Sequence, residues 1–385
     1  MLPSAPMTRR VLLPSLAALA LAACAVPPPP SMPAPPAPSA PPATPEPPPP
    51  PAPAVNPLPP YSAAMEAGWR ADFARETATR HGIPLAQVEA VLVRASVRDS
   101  IIAAMSRPAE AKPWRDYRPI FIQQSRIDAG RAFLARHRAA LQRAEDRYGV
   151  PKEIIVAIIG VETSYGGNKG SHGVVDALYT LAIAYPRSGK PEQVEREIRR
   201  QVFFRDELSQ LFMLAKEERL DMAALKGSYA GAMGWGQFMP SSYRDYAVDG
   251  DGDGRRDLFD NLDDVFVSVA NYFAKKGNWQ RGGPVMQRAL RDPGAADFVN
   301  PGNSVTLDQT LASLAKAGYR PAVAPPAGAA SQPVTLITLD GAAGPEYWIV
   351  YNNFKAITTY NISRLYATAV YQLSRAIAGQ EAVAP

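Results

Sequence analysis

From Met65 onward apolar positions recur at helical spacing, with Trp69, Phe73 and Thr77 on one face. The stretch PLAQVEAVLVRA, residues 84–95, puts Pro84 at a first-turn position, where its missing N–H costs nothing. Residues 123–149 read as one long amphipathic helix carrying Ile127, Gly130, Leu134, Arg138 and Leu141, closed by Gly149. Pro151 opens a further helix over 151–163, and others are predicted over 194–218, 264–277 and 362–377. Beyond Gly282 glycine and proline become more frequent, and residues 334–353 alternate in the β manner around a Gly-rich turn. The expected class is therefore mainly α with a small β-containing part. The folded region spans 61–377, with the β-containing insertion at about 282–353, a final helix at about 362–377 and a short tail over 378–385.

The N-terminal pattern is different. Arg9 and Arg10 precede an apolar run from Val11 to Ala23, the plan of a secretory signal and too short to span a bilayer comfortably. A start at Met7 leaves a shorter basic head on the same plan. The run closes on Leu21-Ala22-Ala23-Cys24, which resembles a bacterial lipobox, the site where a cysteine is lipidated and becomes the new N-terminus. Ala25 follows rather than Asp, which points to the outer membrane. Residues 26–60 hold half of the chain's 40 prolines and form an expected extended, solvated tether of on the order of 100 Å. The 385 residues carry a net charge of +5 with no long Lys/Arg block, which suits an anionic polymer or membrane surface; no nucleic-acid partner is expected. Three scattered histidines disfavour a His-based metal site, and the single cysteine excludes an intramolecular disulfide.

Three stretches could carry chemistry. In AIIGVETSYGGNKG, residues 157–170, the apolar run from Ile154 to Ile159 ends with the carboxylate Glu162. A carboxyl in an apolar setting is costly to ionise and can hold a proton for general acid work, unless it is merely a solvated charge at the helix end. Gly166 and Gly167 allow close backbone approach by a ligand, or a tight turn. In GSYAGAMGWGQFMPSSY, residues 227–243, small residues alternate with Ser228, Tyr229, Trp235, Gln237, Phe238 and Tyr243. Such a stretch can offer aromatic faces and polar donors to a sugar, or form a packed structural turn. In DGDGDGRRDLFDNLDD, residues 249–264, Asp249, Asp251 and Asp253 with Gly254 match the first half of a calcium loop, with the Arg255 carbonyl at the seventh position. The twelfth position holds Asp260 instead of Glu, and Asp264 four residues on competes to close the shell.

These stretches, with PAEAKPWRDYRPIFI (108–122), YGVPKEIIVAIIGVETSYG (148–166) and YNNFKAITTYN (351–361), resemble the lytic murein transglycosylase B family over about 61–377. The resemblance implies a lysozyme-like core at about 145–280 within a larger helical body. It implies cleavage of the β-1,4 bond between N-acetylmuramic acid and N-acetylglucosamine without water, leaving 1,6-anhydromuramoyl ends. Glu162 matches the family's single catalytic glutamate. Ser228, Gln237, Tyr272, Asn353 and Tyr360 match saccharide contacts, and Asp249, Asp251, Asp253, Arg255 and Asp264 match a structural calcium site. Catalysis itself needs no cofactor on this reading. The implied setting is the periplasmic face of a Gram-negative outer membrane, with Cys24 lipidated, glycan strands as partner and possible contacts to wall-synthesis proteins. A muramidase-type hydrolase would need a second acid, for which Asp176 and Asp245 are the nearby candidates; a silent peptidoglycan-binding lipoprotein would need no proton donor.

Overall fold

A computed structural model describes residues 61–106, 112–326 and 328–380. The signal, Cys24 and the proline-rich tether lie outside the described residues. Among the described residues no helix is long and apolar enough to cross a membrane.

The helices run, in chain order, α1 (Ala63–His81), α2 (Leu85–Leu92), α3 (Asp99–Met105), α4 (Trp114–Phe121), α5 (Gln124–Arg136), α6 (Arg138–Tyr148) and α7 (Lys152–Thr163). They continue with α8 (Val174–Ile183), α9 (Val194–Glu218), α10 (Pro240–Tyr246), α11 (Leu262–Lys275), α12 (Leu311–Lys316), α13 (Asn352–Thr358) and α14 (Arg364–Ile377). β1 (His172–Gly173) and β2 (Lys226–Gly227) make a short antiparallel ribbon. β3 (Met286–Arg291), β4 (Tyr319–Pro321), β5 (Thr335–Gly341) and β6 (Gly344–Val350) make an antiparallel sheet in the order β4-β3-β6-β5. The class is mainly α with a small β part, as the pattern implies.

The single helix expected over 123–149 is two. The chain leaves the helical region at His137 (φ −107°, ψ 18°), and α5 and α6 part there. Their apolar faces have different destinations: α5 packs on α7 and α14, α6 on α11 and α7. The His137 ring lies 4.6 Å from Phe133 and 5.7 Å from Phe266, filling the corner between them. Periodicity alone does not register such a bend, because the face resumes after one residue.

α7 sits at the centre. Every residue from Ile154 to Gly160 is buried, so the helix is apolar all round and is wrapped by α5, α6, α11 and α14. The sheet is covered on both faces. Ile337, Leu339, Trp348 and Val350 join the main core, while Leu336 and Ile349 join a second cluster with Leu314, Tyr319 and Tyr351. That double burial explains why β5 opens with an apolar run as well as alternating.

Candidate active site

α7 ends in an unusual turn. Ser164 and Tyr165 both take left-handed backbone conformations (φ 51° and 59°), which for side-chain-bearing residues costs on the order of 1–3 kcal/mol each. Ser164 N donates to the Gly160 carbonyl and Tyr165 N to that of Ile159, so the orphan helix-end carbonyls are satisfied. The Tyr165 ring folds back on Gly160, where an added Cβ would lie 2.6 Å from it, and its hydroxyl donates to the Arg126 carbonyl at 3.0 Å. Thr163 is buried and donates to the Trp235 carbonyl at 3.2 Å. Gly166 meets the Trp235 ring with no room for a side chain, so its freedom serves packing and the turn. This bracing fixes the last turn of α7, from which Glu162 projects.

Glu162 is half-buried, and its Oε1 accepts from the Tyr366 hydroxyl at 2.5 Å. Tyr366 sits in the first turn of α14 and is buried. Burial, then the charge of Glu162, push its hydroxyl far above the usual tyrosine range, so it stays protonated and remains a donor. Tyr117, on α4, is buried close enough to add to that shift. The sequence reading missed both tyrosines. The available signal was a tyrosine on the apolar face of the last helix, whose buried hydroxyl needs a partner.

The residues expected to touch sugar divide into groups. Tyr360 is half-buried and donates to the Gly236 carbonyl at 2.6 Å, tying the approach to α14 onto the 227–243 stretch. Its hydroxyl too is pushed far up, by burial and then by the charge of Glu162. Gln237 has φ 51° and donates to the carbonyls of Lys169 and Gly234 at 3.2 and 3.0 Å. Ser228 Oγ accepts from Ala230 N and Ala232 N at 3.2 and 3.1 Å, shaping a turn. Tyr272 is buried; its hydroxyl donates to the Thr359 carbonyl at 2.6 Å and its ring lies 4.8 Å from Tyr360, so it backs Tyr360.

Asn353 is a correction. It is 1% exposed, and its amide is consumed by the backbone of the 280–283 turn: Oδ1 accepts from Gln280 N, and Nδ2 donates to the carbonyls of Gln280 and Gly283. It locks α13 to that turn and presents nothing to a sugar.

The acidic loop is arranged differently. Carboxylate oxygens of Asp249, Asp251 and Asp253 lie within 4.8 Å of one another. Asp249 accepts from Gly254 N and Gly252 N, which holds its carboxyl below the usual range. Gly254 has φ 85°, the left-handed turn that such a loop requires at its sixth position. Arg255 N donates to Asp253 Oδ1. Asp264 is fully buried beneath the loop, accepting from Gly250 N at 2.7 Å and Asp257 N at 2.6 Å; burial pushes its carboxyl up, and Asp251 and Asp249 add to that. Asp260 is exposed and reaches toward Lys169 at 3.9 Å. Asp264 thus binds the loop's backbone, whereas Asp249, Asp251 and Asp253 are the acids whose carboxylate oxygens come together. Three close carboxylates form a hard-oxygen set that fits calcium.

One further buried carboxylate holds the frame. Glu207 on α9 accepts from Ser241 N at 2.9 Å and from Ser241 Oγ at 2.6 Å, fixing the start of α10 directly after the 227–239 turns. Burial pushes its carboxyl up.

The model of the transglycosylase SLT domain matches residues 65–375, and the chain belongs to that family. It is 39% identical over 316 residues to membrane-bound lytic murein transglycosylase B of Escherichia coli, covering 80% of this chain and 81% of that protein. The Escherichia coli lytic transglycosylase Slt35 solved in complex with calcium has a TM-score of 0.69 at 38% identity, covering 80% of this chain and 91% of that one. SltB3 from Pseudomonas aeruginosa, solved in complex with NAG-NAM-pentapeptide, has a TM-score of 0.69 at 30% identity over 82% of this chain and 80% of that one.

Proposed function

We propose that this chain is a lytic transglycosylase of peptidoglycan and that Glu162 serves its chemistry twice. The supporting observation is the setting of that carboxyl, carried on a braced turn at the end of a buried helix with Oε1 held by a hydroxyl that stays protonated. With Oε1 engaged as acceptor, the exchangeable proton resides on the other oxygen. Glu162 gives that proton to the departing glycosidic oxygen as the bond to the muramoyl C1 breaks. The muramoyl N-acetyl carbonyl oxygen bonds to C1 in its place. The ionised Glu162 then takes the proton of the C6 hydroxyl as its oxygen attacks C1, closing the 1,6-anhydro ring and releasing the N-acetyl group. Glu162 ends protonated, and no water is consumed.

A hydrolase would need a second acid. Asp176 is committed to Arg98 at 2.7 Å and to Ser96 N at 3.0 Å, and Asp245 is an exposed residue of α10. Tyr360, Gln237 and Ser228 line the approach on this reading, and the substrate is a glycan strand bearing peptide stems. The Asp249, Asp251 and Asp253 carboxylates, the Arg255 carbonyl and Asp264 would hold one structural Ca²⁺, whose charge would relieve the repulsion among the acids. Cys24, lipidated, would anchor the chain at the periplasmic face of the outer membrane.

The test is a digest of purified sacculi followed by mass analysis. Fragments ending in 1,6-anhydromuramic acid are expected. Reducing ends, heavier by one water, would overturn the transglycosylase mechanism, and absence of cleavage would leave only a binding protein.

A further inference from the structure

We propose that the cavity between α4, β5 and α14 holds the peptide stem of the strand being cut. This rests on the transglycosylase reading and names the part of the substrate that the described sugar contacts leave out. The cavity has a volume of about 380 Å³, within the ~300–1,000 Å³ range of sites that hold small ligands.

Its position follows from α14. Residues 362–365 line it, and Tyr366, the next residue, holds Glu162. At ~1.5 Å of rise per residue, the cavity wall begins within one helical turn of the tyrosine that fixes the reacting carboxyl. The stem leaves the muramoyl ring at the C3 substituent, two carbons from the C1 at which Glu162 would act. An extended stem of five residues reaches at most ~17 Å.

The lining suits a stem by charge. Lys112 and Asp340 are both exposed on it, and neither has an ion-pair partner among the described residues. Arg364 also lines it and donates to the Gly302 carbonyl. A Gram-negative stem carries several carboxylates and one free amine on its diamino acid. Two cations and one anion are the matching set. Ile362 and Val299, 67% and 81% exposed, give apolar ground for the alanine methyls. The far wall is rigid, because the Asn300 side chain pairs both ways with the Thr338 backbone, at 2.8 and 3.0 Å, as an added strand would.

The experiment compares kcat/KM on glycan strands bearing stems with kcat/KM on strands stripped of them by an amidase. The ratio of the two is the readout. Lys112→Glu should lower that ratio by about fivefold, the scale of reversing one partly exposed charge pair, while Lys112→Arg should keep it. Asp340→Asn should lower it by a smaller factor, and acetylating the stem amine should do the same to the unaltered protein. An unchanged ratio in Lys112→Glu, or an equal loss on both substrates, overturns the assignment. The ratio is formed whatever the chemistry of the new ends, so reducing ends would sink the transglycosylase mechanism without deciding the stem site.

Discussion

Glu162 and the acidic loop 249–264 are both carboxylate sites, and they are held in opposite ways. The clustered acids of the loop are satisfied locally. Asp249 takes the N–H groups of Gly252 and Gly254, and Asp251 takes that of Asp253. Glu162 is held by Tyr366, 204 positions further along the chain. The loop's geometry is a property of a dozen consecutive residues. The geometry at Glu162 exists only when α7 and α14 are packed. A local device tolerates solvent and invites a cation, whereas a long-range device can keep one carboxyl in a fixed direction.

This contrast is exposed to experiment at four points. The largest effect belongs to Glu162→Gln, which preserves shape and removes the titrating proton. Turnover should fall by at least ~10³-fold, with strand binding retained in a pull-down against sacculi. Near-normal release of fragments would show that the carboxyl at the end of α7 is a bystander. Next is Tyr366→Phe, which removes one hydrogen bond to a charged group, worth about 1.5–3 kcal/mol, and so should cost roughly 10–100-fold in kcat with KM little changed. Equal losses in Tm and no change in kcat would reduce Tyr366 to packing.

The loop should respond in stability and not in rate. Calcium at about 100 times its dissociation constant adds roughly 2.7 kcal/mol, or some 5 °C in Tm, and Asp251→Ala should abolish that rise. Asp264→Ala should abolish it too and Asp260→Ala should not. A calcium-independent Tm would remove the metal from the account. The smallest effect concerns Glu207, buried more deeply than Glu162 and yet serving only a helix start. Its proton is held more tightly in the folded chain than in the unfolded one, because burial raises its carboxyl. Its contribution is therefore fully present at low pH and is lost as pH rises through the elevated folded value. The Tm of the unaltered protein should gain on that of Glu207→Gln as pH is lowered from 7 toward 4, and a constant difference would contradict this.

The same contrast explains what could be read beforehand. The helices over 194–218 and 362–377, and the apolar helix bearing Glu162, follow from periodicity and end signals. They emerge as Val194–Glu218, Arg364–Ile377 and Lys152–Thr163. The calcium-type spacing is legible because its partners are neighbours in sequence. Three things were not legible, each for a tertiary reason. The break at His137 follows from where α5 and α6 must pack. Tyr366 reads as one more helical aromatic until the helix facing it is known. Asn353 resembles a sugar contact in sequence, but the turn at 280–283 claims all of its hydrogen bonds.

The span between Glu162 and Tyr366 also sets an order in time. Tyr366, which on the proposed mechanism orients the reacting carboxyl, lies 204 positions after Glu162, so it is synthesised well after α7. Until α14 has been made and has docked, α7 carries its carboxyl without the hydroxyl that directs it. On the proposed mechanism the chain is thus unarmed until α14 docks, and that helix acts as a check on folding. A truncation ending at Ile362 that still cleaved strands would show that the check does not operate.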